Sequence, residues 1–119
     1  MGKPLADKSY AFAIRVVKLY KHLVDTKKEF VMSKQLLRSG TAIGALSREG
    51  AQAQSKPDFL NKMNVALKEV NETLFWLELL HDTAFLSKKE FTSIHSDANE
   101  LVSILVSTVK TTKRNLNKN

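Results

Sequence analysis

Residues 38–50, RSGTAIGALSREG, decide how this chain is interpreted. The apolar periodicity on either side predicts a helix, yet these thirteen residues include three glycines, two serines and a threonine. Glycine inside a helix costs about 1 kcal/mol relative to alanine. A helix with this composition therefore needs a neighbour that approaches its backbone closely.

Gly40 and Gly44 lie four residues apart, so they share one helix face, which Ser47 and Ala51 continue. Three neighbours fit such a face. Bulky side chains of other helices would pack there, because cores set large residues against small ones. A second subunit or a nucleic-acid backbone are the alternatives. A phosphate-binding loop is not predicted, because its terminal Gly-Lys-Ser/Thr is absent.

The length of 119 residues predicts a single domain, and 43% hydrophobic residues suffice for a core. The sequence has no cysteine, which excludes disulfides, thiolate nucleophiles and Cys-based zinc sites. The N-terminus does not resemble a signal peptide, and no apolar run approaches the ~20 residues of a membrane span. We therefore expect a soluble, cytoplasmic protein.

Apolar periodicity and capping signals predict four helices, over residues 7–25, 33–54, 56–82 and 87–114. Asp7, Ser33 and Ser55 are the expected N-caps of the first three, and SKKE at 87–90 is a capping box. The polar, basic end TTKRNLNKN, 111–119, is expected to fray. Short loops favour an all-α fold, an up-down-up-down antiparallel four-helix bundle.

The first helix carries two apolar stripes. One contains Phe12 and Val16, and the other contains Tyr10, Val17 and Tyr20. A peripheral helix of a monomer needs only one stripe, so the second predicts a further packing partner. Trp76 belongs to a similar second stripe on the third helix.

The formal net charge is +7 and is unevenly distributed. Residues 1–62 hold 12 basic and 5 acidic side chains, residues 63–109 hold 3 and 7, and residues 110–119 hold 4 basic ones. This pattern predicts a polyanion partner, or subunits that pack basic against acidic surfaces. No aromatic stacking platform is evident. The candidates for phosphate contact are Lys8, Arg15, Lys18, Lys21, Lys27, Lys28, Lys34, Arg38, Arg48, Lys110, Lys113 and Arg114.

Three segments, QLLRSGTAIGALSREG (35–50), SKPDFLNKMNVALKEVNETLFWLELL (55–80) and FLSKKEF (85–91), resemble one known family in the same order. It comprises small bacterial four-helix-bundle proteins encoded in intervening sequences of 23S rRNA genes. The accessory variability determinant protein of diversity-generating retroelements is related to it. Most members have Arg-x-x-x-x-Ile-Pro-x-Asn-Ile-x-Glu-Gly at 38–50. Here Arg38, Ile43, Glu49 and Gly50 match, Gly44 replaces the proline and Leu46 replaces the asparagine.

The resemblance implies a homo-oligomer, a pentameric barrel of bundles with a central channel. It also implies an association with RNA or DNA, and the retroelement relative binds a reverse transcriptase. Glu49 matches the family motif, and we expect it to bond Arg38 of a neighbouring helix or subunit. The predicted residues of helix packing or of an oligomer interface are Tyr10, Val17, Tyr20, Gly40, Gly44, Glu49, Gly50 and Trp76.

No catalytic residue, metal site or cofactor is predicted. Glu78 and His81 form one Glu-x-x-His step, whereas a di-metal bundle needs two such steps and two further glutamates. The sequence therefore predicts a non-enzyme, an oligomeric scaffold or accessory protein that binds nucleic acid, above all RNA. The alternative is a structural or protein-interaction oligomer that partners an enzyme such as a reverse transcriptase. A metal-dependent bundle enzyme is the third hypothesis.

Overall fold

Four helices and the loops between them make up the chain. The computed structural model describes residues 2–118, with side chains for residues 4–118. The helices are α1 (Gly2–Asp25), α2 (Met32–Ala51), α3 (Lys56–Asp82) and α4 (Lys88–Asn117), and the described residues contain no strand. The helices form an all-α bundle with extents of 53 × 21 × 21 Å.

Each helix packs against its neighbours in chain order, and α1 also meets α4 along the sparsest of the four seams. Within residues 2–118 the backbones of the diagonal pairs, α1 with α3 and α2 with α4, do not approach each other. Apolar side chains from all four helices meet in one core. Its largest fully buried members include Phe12, Leu23, Leu36, Ile43, Met63, Leu77, Leu80, Leu101 and Leu105.

The glycines of α2 lie where other helices come close. A Cβ built on Gly40 would stand 2.8 Å from Cγ2 of Val16 on α1, closer than real Cβ contacts. A Cβ on Gly44 would stand 3.4 Å from the backbone oxygen of Ser9, an ordinary contact. Gly50 instead faces α3, where a Cβ would lie 2.6 Å from Cε of Met63. Close packing within one chain therefore accounts for Gly40.

The first helix begins at Gly2, not at residue 7, so Asp7 is exposed within α1 and is not its N-cap. Pro4 suits the first turn, where its missing N–H leaves no hydrogen bond unmade. The residues around Asp7 also pack: Leu5 is 4% exposed and Ser9 is 1% exposed. Burial on both sides of the expected cap thus extends the helix towards the N-terminus.

The expected Ser33 cap of α2 is also wrong, because a glutamate takes that role. The carboxylate of Glu29 accepts hydrogen bonds from the backbone N–H groups of Val31, Met32 and Ser33, at 3.2, 3.1 and 2.7 Å. The Ser33 hydroxyl instead donates to the backbone oxygen of Glu29 at 2.8 Å. Burial disfavours the ionised carboxylate of Glu29, yet these N–H donors outweigh it and hold the pKa of Glu29 below its usual range.

Two further helix ends differ from the prediction. α2 ends at Ala51, not at residue 54, where the N–H groups of Gln52 and Ala53 donate to oxygens three residues back, at 3.0 Å. Ser55 then caps α3 by accepting a 3.2 Å hydrogen bond from the Asp58 N–H. α4 continues through Asn117 instead of fraying after residue 114. Its last turns keep a packed face, since Thr112 is only 7% exposed and donates to the Thr108 oxygen. At the other end of α4, Ser87 and Glu90 form the expected capping box.

We predict that Gly40→Ala and Gly44→Ala shift stability in opposite directions. Overpacking against Val16 costs about 1–3 kcal/mol, only part of which the ~1 kcal/mol helix preference of alanine offsets. At Gly44 the added methyl group finds ordinary contact distance, so the helix preference prevails. Urea unfolding should show Gly40→Ala destabilised and Gly44→Ala stabilised. Equal effects would contradict this account of the glycines.

We predict that Glu29→Gln lowers the free energy of unfolding by about 1–2 kcal/mol at pH 7, because an amide binds the three N–H groups more weakly than a carboxylate. The folded pKa of Glu29 lies below the reference value of 4.5. Its contribution is therefore complete above about pH 4.5 and is lost as the pH falls through the lower folded pKa.

Urea unfolding of both proteins between pH 7 and pH 3 measures this difference. The difference in unfolding free energy between the wild type and Glu29→Gln should narrow as the pH falls through the folded pKa of Glu29. The exposed Asp25, the last residue of α1, provides the control, and Asp25→Asn should stay within about 0.5 kcal/mol of the wild type. A difference in unfolding free energy that does not change with pH would contradict a helix cap formed by the ionised Glu29 carboxylate.

Candidate nucleic-acid interface

Ion pairs join α1 to α4 along their sparse seam. The residues involved follow α1 at seven-residue spacing, so they share one helix face: Lys8 pairs with Glu100 at 2.8 Å and Arg15 with Asp97 at 2.6 Å, and Nε2 of His22 lies 4.0 Å from Glu90. Arg15 also donates to the Ser93 hydroxyl at 2.9 Å. The hydrogen bond from Lys8 to Glu100 raises the pKa of Lys8. Two of the predicted phosphate contacts, Lys8 and Arg15, thus already have carboxylate partners.

A second charged cluster joins α2 to α3. Arg38 bonds Glu72 and lies 3.4 Å from Glu69, and the Trp76 indole N–H donates to Glu72 at 3.1 Å. The guanidinium of Arg38, followed by this indole, holds the pKa of Glu72 below its usual range. The expected bond between Arg38 and Glu49 does not form within the chain.

Glu49 instead accepts from Lys62 of α3, with 3.1 Å between Oε1 and Nζ. Its partner lies on the facing helix, as does each carboxylate that binds Arg38. The α2–α3 face is therefore crossed by opposite charges, and Arg38 joins Lys8 and Arg15 among the candidates that are neutralised inside the chain.

The other nine basic candidates have no carboxylate within ion-pair distance among the described side chains. They lie towards the two ends of the bundle. At the end formed by the α1–α2 connection are Lys18, Lys21, Lys27, Lys28 and Lys34. Towards the opposite end are Arg48, Lys110, Lys113 and Arg114. Arg48 lies over the ring of Tyr10, at 5.1 Å from its centroid.

The C-terminal half of α4 has a distinct surface, here named the α4 strip and defined by Ser103, Ser107, Lys110, Thr111, Lys113 and Arg114. All six residues are exposed. A shallow groove of about 560 Å³ follows five of them, between Ser103 and Arg114, beside the half-buried Val102 and Val106. The sequence has no acidic residue after Glu100. The strip therefore combines cations and hydroxyls without a carboxylate of its own.

The connection between α1 and α2 holds a feature that the sequence reasoning missed. Phe30 is 56% exposed and Val31 is 73% exposed. Lys27 and Lys28 precede them and Lys34 follows in the first turns of α2. These five residues are named the tip. The sequence signal was KKEFV between two helices, but apolar residues in a loop are usually assigned to the core, so only the structure distinguishes this case.

The predicted interface residues divide by exposure. Tyr10 is 55% exposed, whereas Val17, Tyr20 and Trp76 are half-buried. Exposed apolar side chains that the prediction did not single out are Ile14, at 41%, one turn after Tyr10, and Phe75, at 55%. The ring of Trp76, the next residue of α3, meets that of Phe75 edge-on at 5.0 Å.

The Glu-x-x-His step has partners within the protein. Glu78 lies 3.5 Å from Nε2 of His95, and the ring of His81 stacks on Phe91 with 4.4 Å between centroids. Across the described side chains, no three histidine or carboxylate groups come together as a metal site. Across residues 2–118, none of the helices combines the length and the apolar character needed to cross a membrane.

The fold and the charge pattern define a small all-α helical-bundle protein of net charge +7. The chain belongs to the 23S rRNA-intervening sequence protein family, whose model matches residues 4–107. A crystal structure of a Bacteroides thetaiotaomicron protein with unknown function, from the S23 ribosomal protein family, is similar to this chain. The two are 54% identical, with a TM-score of 0.91 over 92% of this chain and 97% of that one. A search of curated proteins gave no match.

Proposed function

We propose that this protein is a non-catalytic, oligomeric scaffold that binds nucleic acid, above all RNA, through its α4 strip. One observation carries the proposal: three cations without carboxylate partners lie beside three exposed hydroxyls on a helix surface that lacks acidic residues. Lysine, arginine, serine and threonine are among the side chains that contact phosphate oxygens. Membership of a family named for 23S rRNA-intervening sequences supports RNA as the nucleic acid.

The dimensions of the strip suit a run of phosphates. Residues 103–114 rise about 16 Å along the helix, at ~1.5 Å per residue. Successive phosphates of one strand in a duplex are spaced by about 3.4 Å along its axis, so the strip faces about five of them. Contacts of this kind bind through charge and carry little sequence information. We therefore expect salt-dependent binding with weak sequence preference.

We predict that the triple variant Lys110→Gln, Lys113→Gln, Arg114→Gln weakens binding to duplex DNA and to structured RNA. Each lost phosphate contact lowers the slope of log K against log[salt] by about 0.9 on duplex DNA, so the slope should fall by up to about 2.7. Fluorescence anisotropy over a salt series from about 50 mM to about 300 mM measures both affinity and slope.

The matched control removes the same number of charges from α2 and α3: Arg38→Gln, Lys62→Gln and the exposed Lys68→Gln. Arg38 and Lys62 are already paired with carboxylates, so this variant should keep the wild-type slope within about one unit. Equal losses in the two variants would mean that only net charge matters. Absence of wild-type binding at about 50 mM salt would refute the function.

We also propose a homo-oligomer built from up-down-up-down antiparallel bundles, in the pentameric ring that the family resemblance implies. The contacts between helices support the antiparallel arrangement: residue numbers rise along α1 while those of their partners fall on α4, from Lys8–Glu100 to His22–Glu90. The exposed apolar side chains Tyr10, Ile14 and Phe75 support a further packing partner. A cytoplasmic location belongs to the same proposal.

We predict that native mass spectrometry finds assemblies of the 13.4 kDa chain, and that Ile14→Glu or Phe75→Glu shifts them towards the monomer. A carboxylate in an apolar contact between subunits loses its hydration without gaining a partner. Ile14→Val and Phe75→Leu are the controls and should preserve the assembly. A wild-type monomer at micromolar concentration would contradict the proposed oligomer.

The second candidate function is a structural or protein-interaction oligomer that partners an enzyme such as a reverse transcriptase. The same exposed aromatic residues, Tyr10 and Phe75, favour it, since aromatic side chains are enriched where proteins bind each other. The two functions differ in their response to salt. Binding of a protein through these rings would persist in salt that displaces nucleic acid.

A further inference from the structure

The tip exposes an aromatic ring on a connection between two helices, where exposed side chains are usually polar. Phe30 is 56% exposed and belongs neither to the apolar core nor to the residues packed against it. Val31, at 73%, is also exposed. Lys28 and Lys27 stand two and three residues before the ring, and Lys34 stands four residues after it, so three cations flank two apolar side chains along the chain.

The one carboxylate inside this segment is turned away from solvent. Glu29 is 8% exposed, and its oxygens bind backbone N–H groups at the start of α2. Its own backbone N–H donates to the Leu23 oxygen at 2.9 Å, which ties the segment to the end of α1. The outward surface of the tip is therefore cationic and aromatic, and its backbone is held in place before any ligand arrives.

The backbone of Lys28 supports a use for its side chain. Its φ is 56°, in the left-handed region that glycine adopts at less cost. Glycine at the end of a helix is the common solution to this turn, yet the chain has a lysine. A cation is thus retained next to the exposed ring at a position where the local geometry favours glycine.

We propose that the tip binds single-stranded nucleic acid, with an unpaired base stacked on Phe30 and the flanking phosphates held by Lys27, Lys28 and Lys34. Proteins bind unstacked bases with aromatic rings that lie beside cations, because every base has a π-face and every nucleotide carries a negative charge. This inference rests on the proposed function for the nature of the ligand, but it assigns a second site at the other end of the molecule.

Other occupants fit the tip less well. One phenylalanine and one valine offer less apolar surface than a myristoyl chain, which alone binds membranes only marginally. A second copy related by a two-fold axis would set these lysines against each other, and like charges in contact repel. A polyanion with π-faces satisfies both the ring and the cations.

The test compares labelled ten-nucleotide oligouridine, the same backbone with abasic sites and a blunt duplex, by fluorescence anisotropy. The variants are Phe30→Leu, which keeps apolar surface but removes the π-face, and Phe30→Tyr, which keeps both. We expect Phe30→Leu to weaken oligouridine binding about tenfold with an unchanged salt slope, because stacking displaces no counterions. Phe30→Tyr should bind as the wild type does, and the abasic and duplex affinities should be unaffected by either change.

Lys27→Gln with Lys28→Gln tests the cations. This double variant should lower the single-strand salt slope by about 1.4, at about 0.7 per contact. The inference is overturned if Phe30→Leu binds oligouridine as tightly as the wild type, or loses as much affinity for the abasic backbone. It is also overturned if Phe30→Leu changes the native mass, or if the tip variants lose binding to phosphatidylserine vesicles but not to oligouridine.

The α4 triple variant distinguishes the two proposals. If that variant loses duplex binding while Phe30→Leu does not affect oligouridine binding, the proposed tip site is refuted and the proposed function is supported. If the wild type binds oligouridine through Phe30 but binds no duplex or structured RNA, the proposed role of the α4 strip is refuted and the tip site is supported. If the wild type binds none of these probes, both proposals are refuted.

Discussion

The close approach of α1 to α2 at Gly40 is the constraint on which the rest of the bundle depends. The space that a Cβ would fill at residue 40 is occupied by the side chain of Val16. Distances between helix axes are set by the side chains at the contact, so this pair fixes both the spacing and the register of the two helices. Val16 directly follows Arg15, which pairs with Asp97, so the same turn of α1 contacts α2 on one side and α4 on the other.

The register between neighbouring helices determines which cations pair with carboxylates. Lys8 and Arg15 meet carboxylates of α4, and Arg38 meets two carboxylates of α3. Such pairs between exposed groups add little stability, about 0–1 kcal/mol each. Their larger effect concerns the surface charge, because the paired cations are compensated by carboxylates while nine of the candidate cations have no such partner among the described side chains.

Two of the four helix caps could be predicted from the sequence, whereas the charge pairing between helices could not. Ser55 and Ser87 cap their helices because each acts on an N–H three residues away. The cap by Glu29 was missed because its side chain lies four residues before the last N–H it binds, outside the usual pattern. The pairing of Arg38 depends on the facing helix, and the exposure of Phe30 depends on where the core ends, so neither follows from periodicity.

The two basic ends act independently in electrostatic terms. The bundle is 53 Å long, whereas the Debye length is about 8 Å at physiological salt. A charge changed on the α4 strip therefore leaves the potential at the tip unaltered. Any coupling between the ends requires one ligand that reaches both, or an assembly that sets the tip of one copy near the strip of another. A polyanion longer than 53 Å meets the first condition without any contact between copies.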